Sequence, residues 1–142
     1  MSDKSYFYGL GRRKSATATA RLYALPARSA QAGGKGGQIT INGQDAAKYL
    51  DDNKTWLAEL TDPLALVSKQ SDFDITLLIK GGGTSGQVDA AKLAISKALA
   101  TINDDLKGSL SKAGLLRRDS RTVERKKYGL KGARKREQFS KR

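Results

Sequence analysis

Phe73-Asp74-Ile75-Thr76-Leu77-Leu78-Ile79-Lys80-Gly81-Gly82-Gly83-Thr84-Ser85-Gly86 is the stretch that decides the fold. Phe73, Ile75, Leu77 and Ile79 alternate with Asp74, Thr76, Leu78 and Lys80, the period of a strand that buries one face. The glycines from Gly81 to Gly86 then turn the chain. Val88, Ala91, Ile95, Leu99 and Ile102 follow at steps of three and four, the stripe of an amphipathic helix. A strand passing through a glycine turn into such a helix places the chain in the α/β class.

Working outward, Ala16, Ala18, Ala20, Leu22 and Ala24 alternate with Thr17, Thr19, Arg21 and Tyr23, so a second strand presents a face of small side chains that permits close packing by a helix. Before it, Tyr6–Leu10 reads as a short strand with Tyr6 and Tyr8 on one face and Phe7 on the other, and Gly11–Ser15 reads as a basic turn. Pro26–Gly37 is a glycine-rich loop and Gln38–Ile41 a further strand. Asn42-Gly43 suits a hairpin turn, but Asp45–Leu50 reads as helix. Thr55–Leu60 predicts a second short helix, and Pro63 the start of a third through Val67. Asp104–Ala113 is the last helix, with Gly114 placed to end it. Four strands are expected in all.

Gly81–Gly86 satisfies G-x-G-x-x-G, with Asp104-Asp105 about twenty residues on. The context does not fit a dinucleotide site, because the helix is followed by another helix and not by the strand that would carry the ribose-binding acid. Read as a P-loop, the same segment offers Gln87-Val88 where Lys and then Ser or Thr are required. Two readings stay open for Gly82, Gly83, Thr84, Ser85 and Gly86. One is a strand-to-helix turn with positive-φ glycines and Ser85 as N-cap; the other is a helix start whose backbone N–H groups accept a nucleic-acid phosphate.

Charge is distributed very unevenly. Residues 114–142 hold twelve Lys or Arg against Asp119, Glu124 and Glu137, so nine of the thirteen net positive charges lie there, and residues 1–113 carry a net of only +4. Leu115, Leu116, Val123, Tyr128, Leu130 and Phe139 show no sustained period within that segment. It is therefore expected to be an extended basic arm, disordered when free and folding against a polyanion, joined to one globular domain over 1–113. Arginine's planar fork matches phosphate, and Tyr128 and Phe139 among the cations suit stacking on bases or sugars. Arg12, Arg13 and Lys14 form a second basic cluster, and each phosphate neutralised adds counterion release to binding.

With neither Cys nor His in the chain, disulfides, thiolate nucleophiles, imidazole bases and Cys or His metal sites are excluded. No catalytic residue, metal or cofactor is expected. No run approaches the roughly twenty apolar residues that span a bilayer, so no membrane partner and a cytoplasmic location are expected.

Several stretches together resemble one family, the small-subunit ribosomal protein nine of bacterial type. They are Gly-Arg-Arg-Lys-Ser-Ala at 11–16, Ile-Thr-Ile-Asn-Gly at 39–43, Lys-Gly-Gly-Gly-Thr-Ser-Gly-Gln at 80–87, the long run from Lys112 to Lys131, and Gln-Phe-Ser-Lys-Arg at 138–142. The resemblance implies a non-enzymatic, ribosome-bound structural protein of the small-subunit head. Its fold would be a two-layer α/β sandwich, a four-stranded mixed sheet with helices on one face and a left-handed crossover, plus the basic tail. The implied partners are small-subunit ribosomal RNA, neighbouring head proteins and the transfer RNA of the peptidyl site. Ribosomal RNA would meet Arg12, Arg13, Lys14, Arg117, Arg118, Arg121, Arg125, Lys126, Lys127, Tyr128, Lys131, Arg134, Lys135 and Arg136. Transfer RNA would meet Ser140, Lys141 and Arg142. Fully extended at about 3.3 Å per residue, twenty-nine residues reach on the order of 90 Å. Leu10, where the family has a small polar residue, and the longer loop Pro26–Gly37, with Arg28 and Lys35 able to reach RNA, depart from the pattern. A free-standing nucleic-acid chaperone and a nucleotide-dependent kinase acting through Gly81–Gly86 are the alternatives.

Overall fold

A computed structural model describes residues 5–25 and 37–141. The expected loop before Gly37, with Arg28 and Lys35, lies outside the described residues, as does Arg142. Strands β1 (Phe7–Arg13), β2 (Ala16–Ala24), β3 (Ile39–Ile41), β4 (Gln44–Asp45) and β5 (Phe73–Lys80) form one mixed sheet in the order β1-β2-β5-β3-β4. The helices are α1 (Ala46–Tyr49), α2 (Lys54–Leu66), α3 (Thr84–Ala100) and α4 (Asp104–Lys112). β5 is the hinge of the sheet, antiparallel to β2 and parallel to β3.

The fold is of the expected class, but the sheet has five strands rather than four. Asn42 and Gly43 both take positive φ (50° and 82°), the conformation that closes a two-residue hairpin, and Thr40↔Asp45 and Ile41↔Gln44 pair across it. The turn and the helix after it are thus both present, in the space of eight residues. A two-residue strand is too short to show alternation, which is why the helical signal from Asp45 onward masked it. Where β3 stops, the Asn42 side chain continues its ladder: its Nδ2 donates to the Ile79 carbonyl (3.1 Å), and its Oδ1 accepts from the Ile79 N–H (2.9 Å).

β1 runs three residues beyond the expected end at Leu10. Gly11, Arg12 and Arg13 pair with Ala18, Thr17 and Ala16, so the basic turn shrinks to Lys14-Ser15, with Lys14 at φ 50°. The two helices expected around Pro63 are one, α2, begun by Asn53, whose side chain accepts from the Thr55 and Trp56 N–H groups. Pro63 deletes one backbone bond, but Leu60, Pro63 and Leu64 form one buried face that carries the helix past it. α3 is capped by Gly83 in extended conformation with no side-chain bond, so Ser85 is a first-turn residue and not the N-cap.

One face of the sheet, Ala16, Ala18, Ala20, Leu22, Ile41, Phe73, Ile75, Leu77 and Ile79, shares a single core with Ala46, Leu50, Leu60, Leu64, Leu110 and the apolar side of α3. The other face carries Tyr6, Tyr8 and Leu78, all exposed, with the Arg21 guanidinium 5.2 Å from the Tyr6 ring. The small-residue face expected on β2 continues onto β1 as Gly9 and Gly11. A Cβ on Gly9 would overlap the Ala94 carbonyl oxygen and stand 2.7 Å from the Ala98 nitrogen; one on Gly11 would overlap the Ala90 carbonyl oxygen and stand 2.7 Å from the Ala94 nitrogen. The α3 backbone therefore lies directly on bare strand backbone.

α4 ends as expected at Gly114 (φ 73°), where the Gly114 N–H bonds the Ser111 carbonyl and the Leu115 N–H the Leu110 carbonyl, each at 3.0 Å. This is a Schellman closure, and Leu115 packs on the core beside the fully buried Leu110.

Gly9→Ala and Gly11→Ala are each expected to destabilise by about 1–3 kcal/mol or more, because the obstacle is helix backbone that cannot rotate away. Gly108, inside α4 with open space around its Cβ position, should give the opposite sign: Gly108→Ala is expected to stabilise by about 0.5–1 kcal/mol. Urea midpoints at unchanged m-value check both, and wild-type midpoints for the two β1 variants would refute the close approach.

Candidate nucleic-acid interface

Three segments far apart in sequence meet at one end of the sheet. The β1–β2 turn places Ser15 and Ala16 against the glycine loop: Cβ atoms built on Gly81 and Gly82 would lie 2.7 Å from the Ser15 carbonyl oxygen and 2.8 Å from the Ala16 Cβ. The third segment is the start of the arm. Arg13 Nη1 donates to the Arg121 carbonyl at 2.8 Å, and Arg13 Nη2 lies 3.0 Å from Asp119 Oδ2, while Arg13 Nε donates to Asp89 Oδ2 of α3 at 3.3 Å. A cleft of about 290 Å³ opens between α3 and the arm, lined by Arg12, Lys92, Leu93, Leu115 and Arg117 besides this cluster.

The glycine loop closes on itself. Gln87, standing where a P-loop would need its lysine, donates through Nε2 to the Gly81 carbonyl (3.3 Å) and accepts from the Tyr49 hydroxyl (3.1 Å). Gly81 and Gly82 take the expected positive φ (72° and 71°). With no side-chain cap and no acid in the first turn, the N–H groups at the start of α3 keep their donor capacity, and Gly82, Gly83, Thr84 and Ser85 are exposed.

Arg12 and Lys80 are exposed and share a row of the open sheet face through Thr17, which pairs with both. Among the described residues none of Arg12, Lys14, Lys80, Arg117 and Arg118 lies within 4 Å of a carboxylate. Lys80 was not singled out by the sequence reading. The signal for it is the strand alternation, which turns Lys80 outward immediately before the loop.

Beyond Arg121 the described arm contains no helix or strand. Val123, Tyr128 and Phe139 are 92%, 96% and 88% exposed, so none of the three packs on the body. Its acids are taken by its own cations: Glu124 pairs with Lys127 and with Arg134 (2.9 Å), and Lys131 with Glu137 (3.9 Å). Arg125, Lys126, Lys135 and Arg136 are exposed, as are Ser140 and Lys141. The carboxyl of Asp119 is held at about 2, against an ordinary 3.8, chiefly by the hydrogen bond from the Arg121 side chain and then by that from its backbone N–H. The same bond raises Arg121, and Glu124 is lowered by Lys127 and Arg134. Among the described residues no cluster of acids is arranged to hold a metal ion, and no helix is long and apolar enough to cross a membrane.

Residues 11–142 match the family described as ribosomal protein S9/S16. The chain is 46% identical over 140 residues to the small ribosomal subunit protein uS9 of Mycoplasma genitalium, spanning 99% of each. It is 45% identical to that of Solidesulfovibrio magneticus over the full length of both. The protein uS9c of Mesostigma viride is 43% identical over 136 residues, 96% of this chain and 92% of its own.

A carboxylate with a depressed folded value stabilises the structure above its unfolded pKa and loses that contribution as pH falls through the folded one. The Asp119 cluster should thus persist at neutral pH and dissolve only between about pH 4 and the folded value of about 2. Carboxyl-detected NMR titration of the free protein is expected to find Asp119 titrating near 2; a midpoint at the ordinary aspartate value would show that the Asp119–Arg121 pair does not form.

Proposed function

The chain belongs to the ribosomal protein S9/S16 family, and from that membership we propose that this structural, non-enzymatic ribosomal protein binds small-subunit ribosomal RNA in the head and touches the peptidyl-site transfer RNA through residues 140–142. The observation that carries the reading is the convergence of the β1–β2 turn, the glycine loop and the arm at one end of the sheet, with cations that no carboxylate of the described residues neutralises. A phosphate backbone entering there meets Arg12, Lys14, Arg117 and Arg118, and the open start of α3 at Gly82–Gly86 supplies N–H donors to a further phosphate. Neighbouring proteins of the head are further partners. A left-handed crossover between the parallel strands β3 and β5 belongs to the same proposal, as the family resemblance implies.

The arm continues the contact. Arg121, Arg125, Lys126, Lys127, Lys131, Arg134, Lys135 and Arg136 neutralise phosphates where RNA helices crowd, and Tyr128, almost wholly exposed, stacks on a base or packs on a sugar. Such an arm gains order from the RNA it enters, since beyond Arg121 its side chains bury little. Ser140, Lys141 and Arg142 then meet backbone atoms of a transfer RNA irrespective of its sequence, as a site serving every transfer RNA requires.

RNA affinity is expected to fall steeply with salt, the slope of log K against log salt losing about 0.7–0.9 per phosphate-contacting cation removed. Deleting residues 140–142 should leave incorporation into the small subunit intact and weaken transfer-RNA retention in the peptidyl site by about fivefold, the worth of roughly 1 kcal/mol of exposed charge pairing. Sucrose-gradient sedimentation and filter binding of transfer RNA to reconstituted subunits measure the two separately. Loss of incorporation with no separate effect on retention would overturn the assignment of the tip.

A further inference from the structure

We infer that Arg13 is a positioning residue that roots the arm on the body, so that the fixed origin of the arm runs to Arg121 and the part shaped by RNA begins at Thr122. The side chain of Arg13 is only 15% exposed, and all three guanidinium nitrogens are engaged inside the protein. Nε meets Asp89 on α3, Nη2 meets the Asp119 carboxylate, and Nη1 meets the Arg121 carbonyl. Of the five N–H donors of this fork, at most one, on Nη2, is left for a phosphate. Arg13 is thereby set apart from its neighbours Arg12 and Lys14, whose charges no carboxylate among the described residues takes.

Two independent features agree on where the root ends. The Schellman closure at Gly114 and the packing of Leu115 and Leu116 on the core aim the chain back toward β1 before Arg13 takes hold of it. Past Arg121, the ion pairs found among the described residues join arm to arm: Glu124 with Lys127 and Arg134, and Lys131 with Glu137. Among the described residues, the last polar tie between arm and body is therefore the one made by Arg13. Asp119 serves the same end, turning its carboxylate between Arg13 and Arg121 and accepting the Arg121 N–H at 2.9 Å.

The functional consequence, which rests on the RNA-binding reading above, is that Arg117 and Arg118 face the incoming backbone from a prearranged segment, and RNA has fewer residues to order. Asp119→Asn separates this from simple electrostatics, because it makes the protein more cationic and, were charge alone at work, would tighten RNA binding. Full-length protein is compared with the variant by backbone heteronuclear NOE in the free state, and by affinity for a transcript of the small-subunit head RNA. In the wild type, residues 114–121 are expected to show NOE values like those of the body and residues 122–141 markedly lower ones. In Asp119→Asn, values at 117–121 should drop to those of the arm, body resonances should stay unchanged, and RNA affinity should fall by about three- to tenfold. Arg13→Lys should not restore the root, since a point charge cannot serve three separated acceptors.

Wild-type NOE values at 114–121 as low as those beyond, or tighter RNA binding by Asp119→Asn, would overturn the inference. A rooted wild-type arm with no affinity for the transcript would instead defeat the RNA-binding reading and leave the root standing.

Discussion

The contact on which the rest depends is backbone against backbone: Gly9 and Gly11 of β1 lie directly beneath the Ala90, Ala94 and Ala98 turns of α3. Two bare strand positions and three methyl-sized helix positions let the layers approach more closely than any larger pair would. Dispersion in so dense a contact falls off within a fraction of an ångström, so the arrangement tolerates little enlargement. This approach also sets the depth at which α3 begins. Gly86 in its first turn comes to lie beside the Arg13 carbonyl and the Ala16 methyl, and Asp89 one turn on comes within reach of the Arg13 guanidinium.

From that contact the electrostatics follow. Asp89 and Asp119 are drawn onto Arg13, Asp62 onto Lys92, and Glu124 and Glu137 onto cations of the arm. These acids are consumed internally, while Arg12, Lys14, Lys80, Arg117 and Arg118, without such partners among the described residues, lie at the loop end of the sheet. Part of the chain's net charge of +13 is thereby concentrated where the arm leaves the body. The arm then extends that field with almost no apolar burial of its own, as the exposure of Val123, Tyr128 and Phe139 records.

Much of this was legible in the residues. β2 and β5 alternate so regularly that their buried faces could be named, Ala24 alone proving exposed; the stop at Gly114 was equally plain, and the stripe on α3 was too, except that the helix ends at Ala100, short of Ile102. The misses have local causes. Gly11-Arg12-Arg13 carries no apolar period, so it read as a turn, although pairing with Ala16–Ala18 makes it strand. Pro63 read as a helix start, and only the burial of Leu60 and Leu64 around it shows why the helix continues. β4 is two residues long and exists because the Asn42-Gly43 turn brings it alongside β3, a pairing that a helical signal one residue later hides.

The residues alone pointed to the class of partner: charge asymmetry and an arm without a core suit a polyanion, because these depend on composition and not on where any atom lies. They also fixed the alternating and helical faces, since periodicity is a property of the chain itself. What only the tertiary structure decided is which cations are left for that partner. Arg12 and Arg13 are adjacent and chemically identical in sequence, yet the strand's pleat turns one outward beside Lys80 and the other inward between Asp89 and Asp119. Local sequence cannot tell them apart because the acids that claim Arg13 arrive from 76 and 106 residues away, carried there by the packing of a helix on two glycines.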